Sequence, residues 1–222
     1  NFYSTGTNKL LDTNNLRTTV VNDLSYSSND YISNLGFKNN FELYFKNLNV
    51  VGKNDSTYTS RPQLDGMSTF KINTSLPLIR SKNMLKETLT PKISLRINPI
   101  NNMDNHSASS AKINANNVFN INRLGISNDF EAGRSVTVGL DYKYDPLLDN
   151  LPENTNKNLL EDIEDKYFEI KLATVVRDQY ESDIPLSSTI NRKNSDLFGS
   201  INNRLFNNIN FIYEFSLDND MK

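Results

Sequence analysis

Few residues in this chain have both the type and the spacing to do chemistry. His106 is the single histidine, and it lies in the polar stretch NNMDNHSASS. One imidazole with no cysteine and no ordered carboxylate set beside it is not a metal site. The acidic run EDIED at 161–165 lacks the calcium-loop spacing and its central glycine, so it reads as a solvated loop. Ser195 and Asp196 are adjacent, but a Ser-His-Asp triad would have to borrow the distant His106, and nothing in the sequence supports that. The 8 glycines are dispersed and make no phosphate-cradling loop. No carboxylate pair stands out for glycoside chemistry. The expectation is therefore a protein that is not an enzyme and carries no cofactor and no metal.

Composition narrows the class. The chain has 222 residues, with 24 Lys and Arg against 26 Asp and Glu, a formal net charge of -2. Its basic residues are scattered, which argues against a nucleic-acid partner. Hydrophobic residues make up 36%, with a mean hydropathy of -0.57, low for a globular domain with a thick core. Yet there are 12 Phe and 10 Tyr, so the composition is not that of a disordered chain. With no cysteine, disulfides and thiol chemistry are excluded. No apolar run approaches the roughly 18–20 residues of a membrane-spanning helix. The chain opens NFYSTGTNKL without a signal peptide and closes LDNDMK, which suggests an internal piece of a longer protein.

The elements that carry the aromatic residues are strands. In SVTVGLDYKYD, Val136, Val138, Leu140, Tyr142 and Tyr144 alternate with Ser135, Thr137, Gly139, Asp141, Lys143 and Asp145. Side chains on a strand point alternately to its two faces, so this strand has one oily and one wet face. The pattern recurs in LTPKISLRIN (Leu89, Pro91, Ile93, Leu95 and Ile97 against Lys92 and Arg96) and in YFEIKLATVVR (Phe168, Ile170, Leu172 and Val176 against Glu169 and Lys171). It also recurs in NINFIYEFSLD, with Phe211, Tyr213, Phe215 and Leu217 against Glu214, and in FKNNFELYF. Weaker candidates lie at 16–26, 66–78 and 195–206, giving about eight strands of nine or more residues. Tight polar connectors such as 27–30 and 206–208 contrast with long loops at 99–132, 146–163 and 178–194; NKNLLEDIEDK could make a helical turn within one of them. Short turns on one side and long loops on the other are the habit of outer-membrane barrels.

Alternation alone does not say which solvent meets the oily face. In a soluble sandwich the oily faces meet each other, whereas in a membrane barrel they meet lipid. Three features favour the antiparallel transmembrane β-barrel. The wet faces are charged, the strands are long enough to cross a bilayer at a tilt, and Tyr142, Tyr144, Phe168 and Phe215 sit near strand ends as an interfacial girdle would place them. On that reading Lys92, Arg96, Thr137, Asp141, Lys143, Glu169, Lys171 and Glu214 face the lumen.

Two stretches are more particular: NRLGISNDFEAGRSVTVGLDYKY (122–144) and VVRDQYESDIPLSSTINRKNSDLFGS (175–200). Asn122, Arg123, Gly125, Asp129, Glu131 and Gly133 form a loop leading into a strand with Thr137, Gly139 and Leu140. Arg177 ends a strand, Pro185 and Ser187 lie in the following loop, and Ser195, Asp196 and Gly199 open the next strand. With SLPLIR and LTPKISLR upstream, this order resembles the C-terminal barrel of the LPS-assembly outer-membrane protein family, LptD, also called the organic solvent tolerance family. The resemblance covers about residues 40–218, with specific motifs in 76–98 and 122–200. It departs from the family pattern where Asn128 precedes and Phe130 follows Asp129, and in the missing cysteines.

The resemblance implies that residues 1–222 are part of one larger outer-membrane barrel domain of a Gram-negative bacterium, without its N-terminal periplasmic domain and remaining strands. It implies a translocon that inserts lipopolysaccharide into the outer leaflet, with a lipoprotein plug inside the barrel and a periplasmic bridge protein as partners. The alternatives are a porin-like channel of another family and a soluble β-sandwich adhesin or carbohydrate-binding module.

Overall fold

The computed structural model describes residues 1–11, 14–55, 58–82, 85–100, 106–126, 130–146, 166–206 and 209–218. Eleven strands form one antiparallel sheet: β1 (Phe2–Leu11), β2 (Asn15–Ser27), β3 (Tyr31–Ile32), β4 (Lys38–Lys53), β5 (Gln63–Ser75), β6 (Leu78–Lys82), β7 (Leu85–Asn98), β8 (Gly133–Pro146), β9 (Phe168–Arg177), β10 (Leu197–Phe206) and β11 (Ile209–Leu217). The sheet order is β1-β2-β4-β5-β7-β8-β9-β10-β11, a meander, with β3 beside β4 and β6 beside β7.

The two short strands continue longer ones. Ser27 pairs with Glu42 and Tyr31 with Asn39, so Ser28–Asp30 stand opposite only Asn40 and Phe41, a bulge of one extra residue. β5 and β6 likewise run along the same flank of β7, separated by Leu76 and Pro77. Opposite that break is Pro91, which has no N–H to donate; its carbonyl accepts from Leu76 N at 3.1 Å. Nine long strands therefore replace the eight expected. The extra one is β1, whose FYSTGTNKLL has no clean alternation and is a strand because all ten of its residues pair with β2.

The expected division of loops needs correction. Successive strands reverse, so successive connections fall at opposite ends of the sheet. Segments 99–132 and 178–196 leave at one end; 147–167 leaves at the other, the end that also has the turn at 33–37 and the two-residue connections 83–84 and 207–208. The possible helical turn and the acidic run 161–165 lie outside the described residues. The sheet is open. β1 and β11 each pair on one side only, and nine strands in a meander leave them pointing in the same direction.

Alternation sorts the side chains onto two faces of opposite character. On one face Phe41, Leu43, Phe45, Ile72, Ile93, Leu95, Val138, Leu140 and Val176 are all exposed, Val138 at 46%. The other face buries Lys46, Lys71, Arg96, Asn98, Ser135, Thr137 and Arg177, and segments 106–126 and 178–196 cover its part on β7–β10. The apolar core lies there, between sheet and loops. Ile113, Ala115, Val118, Leu124, Ile184 and Ile190 pack on Ala173, Val175 and Phe198, the apolar residues that β9 and β10 place on their otherwise polar side. Each such large side chain removed from water contributes ~1.5–3 kcal/mol, enough to hold an irregular loop against a strand.

Candidate functional site

The site is the clasp that fixes those loops to the polar face. Asn122 Nδ2 donates to the Ile126 carbonyl at 3.0 Å, and Gly125 takes the left-handed conformation, φ 64°, that closes this turn. The turn presents Arg123 to Glu131, Nε to Oε2 at 2.7 Å and Nη2 to Oε1, in a two-pronged pair. Arg123 also donates to Thr137 Oγ1 at 3.0 Å and Ser135 Oγ at 2.9 Å on β8. Arg177, at the end of β9, donates to Glu131 Oε1 at 2.9 Å and to the Ala132 carbonyl. Arg96 on β7 stands 3.3 Å from Glu131 Oε1 and donates to its backbone carbonyl at 2.7 Å; Asn98 Nδ2 donates to the same carbonyl at 3.1 Å.

One carboxylate thus holds three guanidiniums from two strands and a loop, with Arg123 and Glu131 each 2% exposed. Burial by itself would raise the Glu131 carboxyl. The charges of Arg123 and Arg96, the Arg123 hydrogen bond and the charge of Arg177 outweigh it and hold the group well below the usual carboxylate range. Gly133, at φ 83°, lets the chain enter β8 beneath these groups: a Cβ there would stand 2.9 Å from Arg177 Nη2 and 2.6 Å from Glu181 Oε1.

A row of smaller ion pairs extends from the clasp across the same face. Lys46 meets Asp23 at 2.7 Å, Lys71 meets Glu42 at 2.8 Å, and Lys92 pairs with Asp141. Lys143 reaches Asp145 at 2.9 Å, and Lys171 reaches Glu169 at 3.1 Å. The covering loop joins this row. Asn116 accepts from Lys171 Nζ at 3.1 Å and donates to Glu214 at 3.0 Å. The Phe119 ring sits over Gly139, where a Cβ would come within 2.8 Å of it, with Lys92 Nζ 5.7 Å from the ring centre.

All eight residues expected to line a lumen, Lys92, Arg96, Thr137, Asp141, Lys143, Glu169, Lys171 and Glu214, stand on this loop-covered face. Of the motif residues, Asn122, Arg123, Gly125, Glu131, Gly133, Thr137 and Arg177 converge on the clasp. Gly139 underlies Phe119, and Leu140 faces the open side. Pro185 is fully buried at the start of the 3-10 turn Leu186–Ser188. Gly199 lies on the open face beneath the Phe215 ring. Asp129 lies outside the described residues.

Ser195 is not poised as a nucleophile. Its fully buried hydroxyl accepts from Val175 N at 2.9 Å and donates to the Asp196 carbonyl at 2.8 Å, so it completes a backbone ladder. Among the described residues, no group of three or more His, Asp and Glu side chains could hold a metal ion. Sequence reasoning missed Asn98, Ser135 and the loop side chains Val118 and Phe119. The available signal was the apolar pair Ala173 and Val175 on a strand face that is otherwise charged. No family model matches the chain, and no curated protein matches it.

What this arrangement can do is bind and position. Its carboxylates are engaged by cations or by loop amides, and its hydroxyls by the backbone or by guanidiniums, so it offers hydrogen-bonding surface and fixed charge.

Proposed function

We propose that the chain forms part of the wall of an outer-membrane β-barrel, with its apolar face toward lipid and its loop-covered face toward the lumen. One observation carries the reading: the side chains are inverted relative to a water-soluble sheet. Phe41, Leu43, Phe45, Ile93, Leu95, Val138 and Leu140 are exposed, while Lys46, Lys71, Arg96 and Arg177 are buried. A β-sandwich would cover that apolar face with a second sheet, and among the described residues none does. The long strands and the tight turns that dominate one end agree with a barrel wall.

Within that class, the resemblance of 76–98 and 122–200 to the LPS-assembly family supports a translocon inserting lipopolysaccharide into the outer leaflet, with a lipoprotein plug and a periplasmic bridge as partners. The convergence of Asn122, Arg123, Glu131, Thr137 and Arg177 on one buried cluster gives those motif positions a shared physical role.

Two measurements test the reading at its two levels. Leu140→Arg, in the middle of the apolar face of β8, should destabilise the bilayer-inserted protein by ~2–4 kcal/mol. A cost near zero in folding titrations into vesicles would mean that this face meets water. Depletion of the parent protein in the cell that makes it should strip lipopolysaccharide from the cell surface. Unchanged surface lipopolysaccharide with lost permeation of small solutes would favour the porin-like channel.

A further inference from the structure

The bulge at Ser28–Asp30 leaves a slot in the apolar face. Beyond it, the chain resumes pairing with Tyr31 opposite Asn39, and over β4, from the displaced chain to β5, lies an apolar groove of about 390 Å³. Phe41, Phe70 and Ile72 line it, Tyr31 forms a wall, and Ser28, Asn29 and Asn39 stand around it. The Phe41 ring lies between Tyr26 and Phe70, with ring centres 5.6 and 6.4 Å away, so the floor is a row of aromatic rings. Asn39 is held in place: its Oδ1 accepts from Thr74 Oγ1 at 2.8 Å and its Nδ2 donates to the Phe37 carbonyl at 3.2 Å.

We propose that this groove is a binding site for a diacyl phospholipid, with one acyl chain along the aromatic floor and the ester and glycerol oxygens beside Asn29 and Asn39. The inference rests on the barrel reading and goes beyond it. An apolar cavity of ~150 Å³ already takes a benzene molecule, so a groove of this size takes a run of methylenes. The groove is continuous with the apolar face that the barrel reading gives to lipid. The neutral carboxamide rim matches uncharged ester oxygens. The groove also lies beside the turn 33–37, at the end of the sheet where tight turns dominate; outer-membrane barrels put such turns on the periplasmic side. That is the phospholipid leaflet, which selects a phospholipid over a glycolipid as the occupant.

The test is photolabelling of the full chain in phosphatidylethanolamine–phosphatidylglycerol vesicles doped with a phosphatidylethanolamine that carries a diazirine on its acyl chain. Labelling per residue at Tyr31, Asn39, Phe41, Phe70 and Ile72 should exceed that at Ile93, Val138 and Val176 about tenfold, the factor that ~1.4 kcal/mol of preference gives. Phe41→Ala with Phe70→Ala removes the floor from outward positions; it should abolish the excess and leave labelling at Ile93 and Val138 unchanged. Even labelling along the face overturns the site and leaves the barrel reading standing. An absence of labelling on every outward residue overturns both.

Discussion

At the residue scale, Glu131 decides whether the loops stay on the sheet. Among the described residues it is the one anion in direct contact with Arg96, Arg123 and Arg177, and all four groups are buried. Glu131→Gln leaves three guanidiniums without their counter-charge, which costs ~3–5 kcal/mol when one partner of a buried pair is removed. The expected readout is faster amide exchange at Val118, whose N–H bonds to Asn114 O at 3.1 Å within the covering loop. Unchanged protection of Val118 would assign the docking to the apolar cluster alone. The pH dependence follows from the depressed carboxyl. Its contribution is complete above the unfolded glutamate value of about 4.3 and is lost as pH falls through the lower folded value. Protection of the loop should therefore be flat from neutral pH down to about 5 and decline only in stronger acid. A loss of protection between pH 7 and 6 would point to another titrating group.

At the element scale, each strand solves the problem of two unlike faces with local devices. Gly139 on the inner side of β8 makes room for Phe119, and Gly199 on the outer side of β10 lies under the ring of Phe215 from β11. An aromatic ring laid over a cross-strand glycine restores the packing that the glycine lacks. Phe215→Ala should therefore loosen β11, by ~0.2–1 kcal/mol for the pair, with faster exchange at the β10–β11 amides and none at β7–β8. Equal loosening across the sheet would mean that β11 does not respond as a separate edge. The strand breaks are legible in retrospect. Pro77 and Pro91 face the same gap, and SSND (27–30) holds the bulge. The tight turn at 33–37 is closed by Gly36 at φ 84° and by Ser33, which accepts from Phe37 N at 3.1 Å.

At the scale of the whole molecule, strand direction limits how the sheet can close. Because β1 and β11 run the same way, direct pairing between them would be parallel, against every other pair in the sheet. Antiparallel closure requires an odd number of further strands between these edges. Free edges are costly in lipid, where no water satisfies their backbone groups. The chain has no native cysteine, so Ser4→Cys on β1 with Tyr213→Cys on β11, both on the open face, reports directly. Oxidation of the monomer in detergent should give no internal disulfide, and the outward amides of β1 and β11 should exchange freely. An internal disulfide in high yield would mean that the sheet closes on itself and that strand direction does not govern closure.

The sequence by itself determined the strands and the character of their faces, because a period of two is written locally. Leu89 to Ile97 and Ser135 to Asp145 need no partner to be read as one oily and one wet side. It also singled out Arg123, Glu131 and Arg177 as positions of two particular motifs. Only the tertiary structure decided that these three meet Arg96 around one carboxylate. Residues 96 and 177 lie on separate strands and 123 and 131 on the connection between β7 and β8, and their approach depends on the sheet register that sets Arg96 opposite Ser135 and Ser135 opposite Arg177. The same holds for β1, which has no pattern of its own and is a strand because β2 supplies its hydrogen bonds.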